Sequence, residues 1–141
     1  MKIIEQIKRA IYLKYQTSTL YAVDNIPLYL DHVPQSVKYP IIVVRHNSSG
    51  NTMAMPSAVK PNGFDYVDAR FRFLICSNDR QHVQLEDIAD RLEDLYHRTS
   101  LPTSNSVTHI ATISVNQQTI FFDEGQKIWS IPCDYRIIAG R

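Results

Sequence analysis

Apolar and polar residues alternate with two different periods along this chain, and the clearest change of period falls in one stretch. From Phe64 to Thr99 the sequence reads FDYVDARFRFLICSNDRQHVQLEDIADRLEDLYHRT. Val67, Ala69, Phe71, Phe73 and Ile75 alternate with Asp68, Arg70 and Arg72, the period-2 pattern of a strand with one buried face. Ser77-Asn78-Asp79 supplies side chains that bond backbone N–H groups and stop the strand. Leu85, Ile88, Ala89, Leu92, Leu95 and Tyr96 then recur at helical spacing, which predicts a helix with one apolar stripe. Glu86, Asp87, Asp90, Glu93 and Asp94 fall on its other side and form an acidic outer face.

The same reading extends to both ends. Ile3, Ile4, Ile7, Ala10 and Ile11 predict an amphipathic helix over about Lys2–Tyr15, with Lys2, Lys8 and Arg9 turned outward. Gln16 to Asp24 has no clear period. Ile26 to Leu30 is a short extended piece, and Val33-Pro34 and Tyr39-Pro40 bracket a loop. The β-branched run from Ile41 to Val44, closed by Arg45, predicts a strand buried on both faces. His46 to Gly63 is rich in Ser, Asn, Gly and Pro and is too long for an ordinary hairpin turn. It is therefore an extended hairpin arm or a loop. Strand-like runs at Val107–Val115, Gln118–Phe122 and Lys127–Ile138 close the chain, the last two separated by the Asp123-Glu124-Gly125 turn. Runs of strands with two helices predict one α+β domain over residues 1–141: a mostly antiparallel sheet, both main helices on one face, and a long hairpin arm or loop.

Charge adds a second layer to this picture. Net charge is +1, which argues against a protein that coats nucleic acid or binds charged membranes. No apolar run reaches the length of a bilayer span, and charges interrupt the first apolar segment, unlike a signal peptide. The chain is expected to be soluble and made in the cytoplasm. Its charges are nevertheless segregated. His32 to Phe64 holds no acid but contains Lys38, Arg45 and Lys60, whereas Asp79 to Asp94 carries six acids against Arg80 and Arg91. Ordinary surface scatter explains this, and so do complementary faces between copies of one chain.

Candidate chemistry is sparse. The five histidines are scattered without an HxxxH or HxH pair, and Cys76 and Cys133 lack the spacing of a redox or zinc motif, so no metal site is expected. With four glycines and no GxGxxG, P-loop or GxSxG, neither a nucleotide cofactor nor a serine nucleophile is indicated. Asp65 with Asp68 and Asp123 with Glu124 read as strand-edge and turn residues. The eight tyrosines do not interleave with basic residues as a base-stacking surface would, and suit protein contacts. The enzyme or ligand-module alternative would need distant polar groups to converge, with His32, Asp65 and His109 as the candidates.

Taken together, the order and spacing of these pieces resemble the tail terminator (tail completion) proteins of long-tailed bacteriophages. The likeness runs from the first helix through Leu28-Tyr29, Val33-Pro34 and Tyr39-Pro40-Ile41-Ile42-Val43-Val44 to the long arm. It continues through Ala69–Ile75, Ser77-Asn78-Asp79, the helix Leu85–Tyr96 and the closing strand with Trp129 and Tyr135-Arg136-Ile137. The resemblance implies a non-enzymatic virion protein of the tail or neck, assembled in the host cytoplasm without a cofactor. It implies a hexameric ring that caps the tail tube, stops its polymerisation and joins the head, with DNA only as cargo. Implied partners are other copies of the chain, the tail tube protein and a head-completion or connector protein. Candidate contact residues are Arg45, Met53, Met55 and Lys60 on the basic stretch, and Glu86, Asp87, Asp90, Glu93 and Asp94 on the acidic helix. A neck, head-completion or minor tail subunit is the alternative within the same class.

Overall fold

The computed structural model describes residues 3–54, 64–78, 82–103, 107–117 and 119–140. Helix α1 (Ile3–Gln16) buries Ile3, Ile7, Ala10, Ile11 and Tyr15, the stripe its spacing predicts. The aperiodic segment after it holds a four-residue helix, α2 (Thr19–Ala22), which buries only Leu20. Helix α3 (His82–Tyr96) buries Leu85, Ile88, Ala89, Leu92 and Tyr96.

Six strands form one sheet: β1 (Leu28–Leu30), β2 (Ile41–Ala54), β3 (Phe64–Ser77), β4 (Thr108–Gln117), β5 (Phe121–Asp123) and β6 (Ile128–Gly140). The order across it is β1-β2-β3-β6-β4, with β5 also on β6. Every pairing is antiparallel except β1 with β2, which is parallel. The stretch from His46 to Ala54 is strand rather than loop: it prolongs β2 in register with β3, with a bulge between His46 and Ser48. Residues 55–63 lie outside the described set.

Both long helices pack on one face. Ile42 and Val44 of β2, Phe71, Phe73 and Ile75 of β3, and Ile131, Cys133, Tyr135 and Ile137 of β6 meet α1 and α3 in a single core. Two buried tyrosines tie the layer together: Tyr96 Oη of α3 donates to Ile11 O of α1 at 2.8 Å, and Tyr15 Oη of α1 donates to Ile26 O in the connection to β1 at 2.7 Å. Among the described residues the opposite face is covered only at one corner. There Ile41, Val43 and Cys76 pack with Tyr29 of β1 and with Val33, Val37 and Tyr39 from the segment that folds back between β1 and β2. That second cluster is why the Ile41–Val44 run is buried on both sides.

Candidate assembly surfaces

Beyond that corner no described element covers the second sheet face, and its polar residues form an ordered lattice. Asp68, Arg70 and Arg72 alternate with core residues of β3 and point away from the helices. The β3–β6 register sets Arg72 opposite Asp134 and Arg70 opposite Arg136. Arg72 grips Asp134 with two bonds, Nε–Oδ1 at 2.8 Å and Nη2–Oδ2 at 3.2 Å. Arg136 reaches diagonally to Asp68, with Nη2–Oδ2 at 2.6 Å and Nε–Oδ1 at 2.9 Å. These hydrogen bonds hold the Asp68 carboxyl below its usual pKa, and the charge of nearby Arg70 adds to the effect. Arg45 stands opposite Arg72 on β2. Among the described residues neither Arg45 nor Arg70 hydrogen-bonds a carboxylate, so four arginines face two aspartates and this surface is basic.

The acidic surface lies on the other side of the molecule. Glu86, Asp87, Asp90 and Asp94 are exposed on α3 and Glu93 is half-buried. Arg91 sits among them, 2.6 Å from Asp24 and 3.6 Å from Asp87, and donates to Thr19 Oγ1 at 2.7 Å. The helix is thereby tied to the α2 segment, and part of its negative charge is offset locally. Arg45 and the α3 acids occupy opposite layers, so the sheet keeps them apart within one copy. Met53 lies in β2 opposite Asp65, while Met55 and Lys60 fall outside the described residues.

The candidate catalytic convergence does not form. His32 follows β1 at one edge of the sheet and His109 belongs to β4 at the other, with β2, β3 and β6 between them. His109 has a structural task. Its Nδ1 accepts from Leu101 N–H at 3.3 Å and its Nε2 lies 2.7 Å from Thr112 Oγ1. Burial, with the charge of Lys14, holds its pKa below the ordinary histidine value. His97 acts similarly, its Nδ1 accepting from Ser114 N–H at 2.9 Å. Cys76 and Cys133 are buried free thiols, pushed by desolvation to about 11 and about 12. No cluster of three or more His, Cys, Asp or Glu able to hold a metal occurs among the described residues.

One surface had no counterpart in the sequence pattern. Ile110, Ile113, Val115, Phe121 and Phe122, which lie in the strand-like runs, are exposed on β4 and β5. A groove of about 730 Å³ opens at the opposite edge, lined by Tyr21, Pro27, Tyr29, Val37, Lys38 and Tyr39 among others.

Comparison with known structures identifies the architecture. The chain shares its fold with a chain of a solved virion. The matching chain comes from the virion of a native gene transfer agent particle, with a TM-score of 0.68. The likeness covers 94% of this chain and 93% of that chain at 13% identity. At that identity it establishes the shared α+β fold over nearly the full length of both. No protein-family model and no curated protein matches the sequence.

Proposed function

We propose that this chain is a structural subunit of a phage-like virion, and specifically a tail terminator that closes on itself as a hexameric ring. The observation that carries the reading is the end-to-end fold likeness to a virion chain, joined to the order of elements that resembles tail terminators. The surfaces agree with a protein that works by contact. Its polar lattice is built from paired arginines and aspartates, and its buried thiols are shifted away from the reactive thiolate. A closed ring requires one patch of each copy to meet a different patch on the next, and a domain with an apolar β4–β5 edge on one side and an aromatic groove on the other supplies unlike patches. Arg45 with the arm residues Met53, Met55 and Lys60, and the acids Glu86, Asp87, Asp90, Glu93 and Asp94, are the contact surfaces toward the tube and the head connector. The ring stops tube growth by occupying the end where the next tube subunit would add, and no chemical step is needed.

Mass photometry together with a tube-growth assay tests this. The purified protein is expected to form a discrete oligomer and to halt elongation of tail tubes. A strictly monomeric protein that does not bind tubes would sink the proposal. A ring that binds the head connector and ignores tubes would assign the chain to the neck.

A further inference from the structure

The large apolar side chains left exposed in the described structure are not scattered. Five of the eight, Ile110, Ile113, Val115, Phe121 and Phe122, lie on β4 and β5. Both strands pair with β6 on the side away from β3, so together they make one continuous sheet edge. Two more, Tyr21 and Val23, lie at the opposite edge beside the aromatic groove. A soluble monomer normally keeps such patches small, and concentrated exposed apolar surface marks a binding site.

The kind of contact follows from the backbone. An open edge strand invites another strand to pair with it, but at the middle of β4 two outward backbone groups are already used. Arg98 N–H donates to Thr112 O at 2.7 Å and Ser114 N–H donates to His97 Nδ1 at 2.9 Å. There the edge offers side chains rather than a ladder. Register adds a second constraint. Leu28 faces Ile42, Ile42 faces Ile75 and Ile75 faces Ile131, while Phe121 faces the adjacent Ser130. β5 and the start of β1 thus end the same row of the sheet, on opposite sides. Two copies placed side by side bring one against the other without a shift along the strands. Charge agrees as well: exposed Asp123 and Glu124 lie at the β5–β6 turn, and exposed Lys38 lies on the groove, whose acid Asp24 is already paired with Arg91 at 2.6 Å.

We infer that the β4–β5 edge of one copy seats in the α2–β1 groove of the next, with Phe121 and Phe122 beside Tyr21 and Tyr39 and Glu124 facing Lys38. This rests on the ring reading and names its lateral joint. The contact is heterologous, so it propagates from copy to copy until it closes. It leaves the acidic α3 surface and the basic sheet face as the two walls of the ring.

A pair of double variants tests the joint by mass photometry. Ile113→Glu with Phe121→Glu disables the edge, and Tyr21→Glu with Lys38→Glu disables the groove. Each alone is expected to weaken assembly at least tenfold while its circular dichroism matches the wild type. Mixed together they should give a dimer and nothing larger, because each retains one working side. Should the groove variant unfold, Lys38→Glu and Glu124→Lys provide the check: each alone weakens assembly and their combination in one chain restores it. A wild type that assembles beside variants that assemble equally well overturns the joint and leaves the ring reading intact. A wild type that stays monomeric and ignores tubes overturns the ring reading itself. Capture of the tube protein by a monomeric wild type, abolished in the edge variant, would assign the edge to the tube and overturn the self-contact.

Discussion

The two faces of the sheet are made by the same strands yet rest on different physics. On the covered face Phe73, Tyr96 and Tyr135 pack ring against ring, with Phe73 centroids 5.1 Å and 5.0 Å from the two tyrosines. All three are buried. Burial of that kind supplies stability and has little latitude for change. On the open face Arg72, Asp134, Arg136 and Asp68 retain much of their exposure. Such pairs contribute little to folding but set the charge pattern that a partner meets. One face holds the domain together, and the other is free to recognise something.

Truncating the covered face should give the largest change. Phe73→Ala leaves a cavity among α3, β3 and β6 and is expected to cost about 3–5 kcal/mol, read as the shift in urea midpoint at unchanged slope. A loss below about 1 kcal/mol would show that this face is not the stabilising one. Tyr96→Phe keeps the ring and removes only the hydroxyl that donates to Ile11 O. It should cost about 1 kcal/mol by the same measurement.

Acid should act on the β4 side of the covered layer. The folded state holds His109 below its ordinary pKa, so the unfolded chain binds more protons as pH falls through the ordinary histidine range. Stability is therefore full above that range and declines below it. Thermal melts at pH 7 and pH 5.5 should show this loss, and His109→Gln should reduce the difference. An unchanged difference would assign the acid sensitivity to other groups.

The open face should respond least in stability. Arg72→Ala is expected to change folding by at most about 1 kcal/mol. Reversing Glu86, Asp90 and Glu93 to lysine, on the outer side of the helical layer, should likewise leave the melting curve nearly unchanged. The same reversal should weaken binding to the tube or the head connector, read by pull-down. Equal capture of both partners by mutant and wild type would show that the α3 charges are incidental.

What could be read from the chain divides along the same line. Elements with one buried face were legible because their period follows from geometry: Val67 to Ile75, Leu85 to Tyr96, and Ile131 to Ile137 all fall where alternation or helical spacing put them. Arg45 and the α3 acids were legible as charge, and the structure separates them onto two layers. Their pairing was not legible. Arg72 meets Asp134 only because β6 inserts between β3 and β4, and no local pattern encodes that order. Ile26 to Leu30 was legible as an extended piece, but the parallel pairing of β1 and the short α2 escaped for want of length. The exposure of the β4–β5 edge was not legible: Ile113 and Phe121 are apolar residues in strand-like runs, and they are exposed because no described strand lies beyond them. The alternation in β4 is also broken by bulges after His109 and Ser114.

Electron microscopy of the purified wild-type protein tests the ring directly. The account predicts closed rings with a central opening, uniform in size and seated at the ends of tail tubes when tubes are added. Fields of single small particles at assembly concentrations, with tube ends left bare, would contradict it.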